Sequence, residues 1–92
     1  TEDIILADIN QTTLMIYSRE GIYQTTETLT RFQQRISSSN FIQVSRHAVI
    51  NIDHLESLSD SFSGNMTAKL TNQIKTEVSR RYVKLLMEYL GI

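Results

Sequence analysis

The sequence contains no cysteine and no proline. Without cysteine there is no disulfide framework, no thiolate nucleophile and no sulfur-rich zinc site, and a reducing, cytoplasmic setting is expected. Without proline no rigid linker divides the chain, and no repeat or low-complexity tract interrupts it. No apolar run approaches the ~18 to 20 residues of a membrane span, and no basic-then-apolar leader opens the chain, so membrane insertion is not expected. An excess of one charge is also missing: nine Lys and Arg stand against ten Asp and Glu, for a net charge of -1. General affinity for polyanions, which rests on neutralising many phosphates, is thereby excluded.

What remains is an ordinary globular composition, 40% hydrophobic and 21% charged. Ninety-two residues suffice for one domain, 1–92, burying roughly 60 to 65% of the surface its unfolded chain exposes. The near-neutral total hides an asymmetry. Residues 1–30 set Arg19 against Glu2, Asp3, Asp8, Glu20 and Glu27, while the rest carries a net +3. Such a division suits a domain that presents one basic face to DNA.

Strand patterns dominate. Ile4 to Ile9 and Leu14 to Tyr17 read as strands around a polar turn at Asn10-Gln11-Thr12-Thr13, and Gly21 leads into Ile22 to Thr25. The period then changes: Leu29, Phe32 and Ile36 recur at three and four residues, which predicts a short amphipathic helix over 26–37 with Thr26 as N-cap and Glu27 in its first turn. Ser37-Ser38-Ser39-Asn40 should stop it. Phe41 to Val44 and Ala48 to Ile52 are apolar stretches separated by Ser45-Arg46-His47, a polar triplet expected to project from a loop or bulge. Leu55 to Leu58 and the alternating Met66 to Thr71 form a hairpin around Ser63-Gly64-Asn65. Ile74 to Val78 returns as a strand, and Ser79 is placed to cap a final helix in which Val83, Leu86, Met87 and Leu90 share a face before Gly91 ends it.

Two clusters carry the functional signal. Ser79-Arg80-Arg81-Tyr82 sets adjacent arginines at a helix N-terminus, where the macrodipole opposes them by a few tenths of a kcal/mol each. An anionic partner would reverse that sign, and a guanidinium can also bond a guanine edge bidentately. The plain alternative is a solvated pair bonded to Glu77 or to loop carbonyls. Ser45-Arg46-His47 poses the same choice in a loop, where binding residues concentrate. Lys69, Lys75 and Lys84 could add phosphate contacts. Ser45, His47 and Asp53 supply the residue types of a nucleophilic triad, but too close in sequence for its geometry and without an oxyanion-donor signature, so no catalysis is expected. His47, Asp53, His54 and Glu56 lack zinc-ligand spacing, and neither metal nor cofactor is expected; His54 reads as a surface or half-buried residue.

The segment Phe41-x-x-Val44-Ser45-Arg46-His47-x-Val49-Ile50-Asn51-Ile52-x-His54-Leu55-Glu56-Ser57-Leu58 resembles the signature of the LytTR family. So does Val78-Ser79-Arg80-Arg81-Tyr82-Val83-Lys84-x-Leu86, which is similar to the closing segment of that family. The resemblance is close over 41–90 and agrees in layout elsewhere, including Asp8 after the first strand. It implies a mostly β fold, an elongated arrangement of three small antiparallel β-sheets with one short central helix and a C-terminal helix. It also implies a bacterial response-regulator type of transcription regulator whose domains bind repeated short sites on double-stranded DNA in pairs and bend the duplex. Carried over by position, the reading loops fall on Asn10 to Thr13, where Thr12 and Thr13 are the candidate contacts, on Ser45, Arg46 and His47, and on Arg80 and Arg81. Arg46 and Arg81 would then contact bases, Arg80, His47 and Lys84 would lie nearer phosphates, and Asn51 would pin a loop. Two departures stand out. Thr12 and Thr13 replace stronger donors, and the Asn72-Gln73 turn lacks the usual glycine.

A homodimer, at least on DNA, and a regulatory domain or partner outside the chain are further expectations. The rival reading is a protein-interaction or dimerisation module, in which the apolar surface of the last helix docks on another subunit without DNA.

Overall fold

Alternating apolar residues in the strands decide the architecture, because successive side chains point to opposite faces of a sheet. The computed structural model describes residues 3–36 and 40–92. The strands are β1 (Ile4–Asn10), β2 (Thr13–Ser18), β3 (Ile22–Thr25), β4 (Phe41–Ser45), β5 (Ala48–Asn51), β6 (Leu55–Asp60), β7 (Met66–Leu70) and β8 (Lys75–Val78). Helix α1 (Leu29–Arg35) follows β3, and α2 (Arg80–Leu90) closes the chain. All pairings are antiparallel, in a five-stranded sheet ordered β3-β2-β1-β5-β4 and a three-stranded sheet ordered β6-β7-β8. The described strands therefore form two sheets where the resemblance implied three. The pairing of β1 with β5, Leu6 opposite Ile50 and Asp8 opposite Ala48, joins the first hairpin to the central one.

The larger sheet is covered on both faces. On one side Ala7, Leu14 and Val49 pack with Leu29, Phe32 and Ile36, the last just past the end of α1. On the other, Leu6, Val44, Ala48 and Ile50 meet Ala68, Leu70, Val78 and Leu86 from the smaller sheet and α2. A bulge between Ile4 and Leu6 lets Ile5 join the second cluster beside Leu6. Because β5 lies between the two layers, all four of its residues are buried. The molecule measures 31 × 23 × 23 Å, modestly longer along one axis.

The central helix is shorter than 26–37. Its N-cap is Thr28, not Thr26, with Thr28 Oγ1 accepting from the Arg31 N–H at 3.1 Å. Glu27 therefore lies outside the first turn and reaches Arg35 instead, through contacts of 2.6 and 3.0 Å. The guanidinium bonds hold the Glu27 carboxyl below its ordinary value of 4.5. Arg35 also lies over the Phe32 ring, 5.6 Å from its centroid, and Phe32 meets Phe41 edge to face. The serine run expected to stop the helix falls on 37–39, outside the described residues.

Asn51 acts as scaffold: its Nδ2 donates to the Ile4 carbonyl at 2.9 Å and its Oδ1 accepts from the Asp53 N–H. It fixes the turn that follows β5, not the Ser45-to-His47 turn. His54 is buried against Thr71, 2.9 Å from Nδ1 to Oγ1, and not at the surface. In the glycine-free β7–β8 turn, Asn72 and Gln73 both take positive φ, 63° and 61°. No helix among the described residues is long and apolar enough to cross a membrane.

Candidate nucleic-acid interface

Three chain reversals carry the residues singled out above, and backbone hydrogen bonds join them side by side. Because β1 and β5 are antiparallel neighbours, the end of β1 meets the start of β5, and the Ile9 N–H donates to the His47 carbonyl at 2.8 Å. The β1–β2 turn with exposed Thr12 and half-buried Thr13 thus lies beside the β4–β5 turn with Arg46 and His47. At the other side of that turn, the Ser79 N–H donates to the Val44 carbonyl at 2.9 Å. Arg46 is two residues beyond one end of this bond, and Arg81 two residues beyond the other. Chain reach alone then keeps their Cα atoms within about 20 Å, less than one ~34 Å turn of duplex.

The β4–β5 turn projects two of its three residues. Arg46 and His47 are exposed, but Ser45 is buried at 2%. Its Oγ accepts from the His47 N–H at 3.2 Å, and its carbonyl accepts from Gln43 Nε2 at 2.9 Å. Ser45 therefore shapes the turn from inside instead of projecting. The His47 ring stands 2.8 Å from Asp8 through Nδ1, and Asp8 lies within β1, not after it. The pair borders a cleft of about 390 Å³ lined also by Ile9, Asn10, Met15 and Tyr17. Asp8 holds the imidazole through Nδ1, so Nε2 is the ring nitrogen outside this contact.

Helix α2 begins differently from the sequence expectation. Ser79 occupies the N-cap position but makes no side-chain capping bond. The Arg80 N–H instead donates to Asn65 Oδ1 at 2.8 Å, from the β6–β7 tip fifteen residues away. Gly64 lies under the Arg80 side chain, so closely that a Cβ there would stand 2.8 Å from Arg80 Cδ, and its φ of +86° favours glycine as well. Arg80, Arg81 and Lys84 are exposed and, at spacings of three and four, share one helix face. At the far end Gly91 adopts φ 77° and closes the helix as expected.

The ion pairs among the described residues are Glu27 with Arg35 and Asp8 with His47. Arg46, Arg80, Arg81 and Lys84 belong to neither, so these four exposed cations have no carboxylate partner among the described residues. Lys69 and Lys75 sit directly opposite each other on the exposed face of β7 and β8. The triad types do not assemble: Ser45 bonds the backbone of His47, the His47 ring faces Asp8, and Asp53 engages Asn40. No group of three or more His, Asp or Glu able to hold a metal occurs among the described residues.

Sequence reasoning did not find the Asn65 cap or the Asp8–His47 contact, both of which join residues far apart in the chain. It also passed over Phe62, 86% exposed in the tip that supplies Asn65. A large aromatic among Ser, Gly and Asn was the available signal.

Residues 1–91 match the family model of the LytTr DNA-binding domain. The chain belongs to that family. It is 32% identical over 90 residues to the sensory transduction protein LytR of Staphylococcus epidermidis, covering 98% of this chain and 36% of that protein. It is likewise 32% identical over 91 residues to the sensory transduction protein LytT of Enterococcus faecalis, 99% of this chain and 38% of the relative. To the transcriptional regulatory protein LytR of Staphylococcus aureus it is 30% identical over 77 residues, 84% of this chain and 31% of that protein. The chain thus spans about a third of the length of the curated relatives it matches. A solved LytTr DNA-binding domain from Bacillus cereus superimposes with a TM-score of 0.89 at 15% identity, over 99% of this chain and 84% of the other, and shares its fold.

Proposed function

We propose that the domain reads specific sequences of double-stranded DNA as the binding module of a cytoplasmic transcription regulator, acting by binding alone. One observation carries this reading. Thr12 and Thr13, Arg46 and His47, and Arg80 and Arg81 come from three separated stretches yet stand on hydrogen-bonded neighbouring turns, with their arginines in no ion pair among the described residues. Arg46 and Arg81 reach base edges, where a guanidinium distinguishes guanine through two hydrogen bonds. Arg80, Lys84 and His47 Nε2 take phosphates, and the α2 N-terminus adds its partial positive charge. Ser45 contributes by holding the turn, and Thr12 and Thr13 lie at the rim. Reading with turns on one face favours a bent duplex, because bending brings flanking phosphates to Lys84 and the rim. Two domains occupy a pair of repeated short sites.

Selection from a random duplex library by mobility shift tests this. Enrichment of a repeated short motif is expected, with log affinity falling against log salt at about -0.9 per neutralised phosphate. Absence of enrichment at low salt would overturn the proposal. The protein-interaction reading keeps one specific support, a groove of about 470 Å³ lined by Ile42, Gln43, Tyr82, Leu85, Glu88 and Tyr89. There Leu85 and Tyr89 are exposed on α2. Sedimentation of the free domain, against a Leu85→Glu variant, reports whether this groove pairs subunits.

A further inference from the structure

The tip joining β6 to β7 is built for close approach to a surface. Residues 61–68 carry no charge, and Ser61, Ser63 and Gly64 leave Phe62 as the large side chain of the turn itself. The turn is fixed by its own backbone: the Ser61 N–H donates to the Asn65 carbonyl and the Asn65 N–H to the Phe62 carbonyl, each at 3.0 Å. Ser63 and Gly64 both take positive φ, 58° and 86°, which folds the tip tightly. Phe62 is left 86% exposed, more than any other large apolar side chain of the described residues, the terminal Ile92 included.

A single exposed apolar residue is unremarkable by itself. Its setting distinguishes Phe62. The same five-residue tip gives Asn65 to the Arg80 N–H and Gly64 to the Arg80 side chain. Phe62 is therefore mounted on the structure that positions the first arginine of α2. The row of turns that begins at Thr12 and passes through His47, Arg46 and Arg80 ends at this ring. An uncharged turn beside a cation can come close to a duplex without repelling phosphate, and an aromatic there can bury its face only against bases or sugars.

We infer that Phe62 is an apolar DNA contact, which packs against the bases next to the one read by Arg81 and the phosphate held by Arg80. The inference rests on the DNA-binding reading and adds to it a residue that sets preference by apolar chemistry. Two kinds of base surface fit a phenyl ring: the 5-methyl group of thymine, and the face of a base pair opened at a flexible step. Either one makes the contact sensitive to sequence without a hydrogen bond.

The test uses the duplex enriched by the wild-type domain. Failure of the wild type to enrich any duplex would defeat the DNA-binding reading itself, separately from the role of Phe62. Given an enriched duplex, Phe62→Ala is expected to weaken specific binding about tenfold or more, the loss that goes with one buried phenyl ring. The slope of affinity against salt stays that of the wild type, since no phosphate contact is removed. The melting temperature of the free domain also stays unchanged, because the ring buries almost nothing there. Replacing thymines one at a time by uracil locates a methyl contact, while 2-aminopurine fluorescence that rises on binding marks an opened step. Either response should be present with the wild type and lost with Phe62→Ala. Wild-type affinity in Phe62→Ala, or a loss that appears only together with a changed salt slope, would overturn the inference.

Discussion

Replacing Asn65 by Ala tests the geometry on which the interface is built. Asn65 Oδ1 accepts from the first N–H of α2 at 2.8 Å, whereas the Ser79 side chain at the N-cap position makes no capping bond. A lost helix cap costs about 0.5 to 2 kcal/mol. The Arg80 N–H is solvent-accessible, so water replaces part of the bond and the cost should be near 1 kcal/mol. In a domain of this size that lowers the melting temperature by about 4 to 8 °C. Ser79→Ala, by the same reasoning, should cost only a few tenths of a kcal/mol. Thermal melts followed by circular dichroism at several scan rates compare the two variants directly. A larger loss from Ser79→Ala than from Asn65→Ala would refute the assignment of the cap and, with it, the coupling of the β6–β7 tip to Arg80.

Other outcomes follow from the same coordinates. Gln73→Gly should stabilise the domain by about 0.5 to 1 kcal/mol, since a non-glycine residue at φ 61° pays for a left-handed backbone; denaturant midpoints would show it. Glu27→Gln should lower the melting temperature at neutral pH. The folded carboxyl is held below 4.5 by Arg35, so its stabilisation is full above that value and vanishes as the pH falls through the lowered one. Melts of both proteins between pH 7 and pH 2 should therefore converge in acid, and added salt should narrow the gap as well. Phe32→Ala, which removes a fully buried ring between α1 and the larger sheet, should cost about 3 to 5 kcal/mol and leave little folded protein at 37 °C.

Much of the fold was legible because its signals are local. Continuous apolar stretches located β1, β2 and β5, period-two alternation located β7, and the spacing of Leu29 and Phe32 located α1. Boundaries were less legible where the chemistry is degenerate. Thr25, Thr26 and Thr28 are all competent caps, and the choice of Thr28 follows from which turn buries Leu29 and Phe32 together. The count of sheets depended on β1 meeting β5 across some forty residues, a pairing that no local pattern encodes.

Within the candidate interface, the exposed arginines were visible as charges out of place at a helix start and in a turn. What fixes them was not. Ser45 looked like a projecting polar residue because its burial depends on Gln43 and on the turn closing over it. The Asn65 cap and the Asp8 contact to His47 join residues fifteen and thirty-nine positions apart. Their donors and acceptors are ordinary residue types that acquire a role only once the sheets have folded.

The most direct measurement is the affinity of Arg46→Ala, Arg81→Ala and Lys84→Ala for a set of single-base variants of the selected duplex. Each arginine replacement should cost about 1 to 3 kcal/mol and erase preference at one base pair, while Lys84→Ala weakens every duplex alike. Arginine variants that keep the full wild-type discrimination would contradict the account.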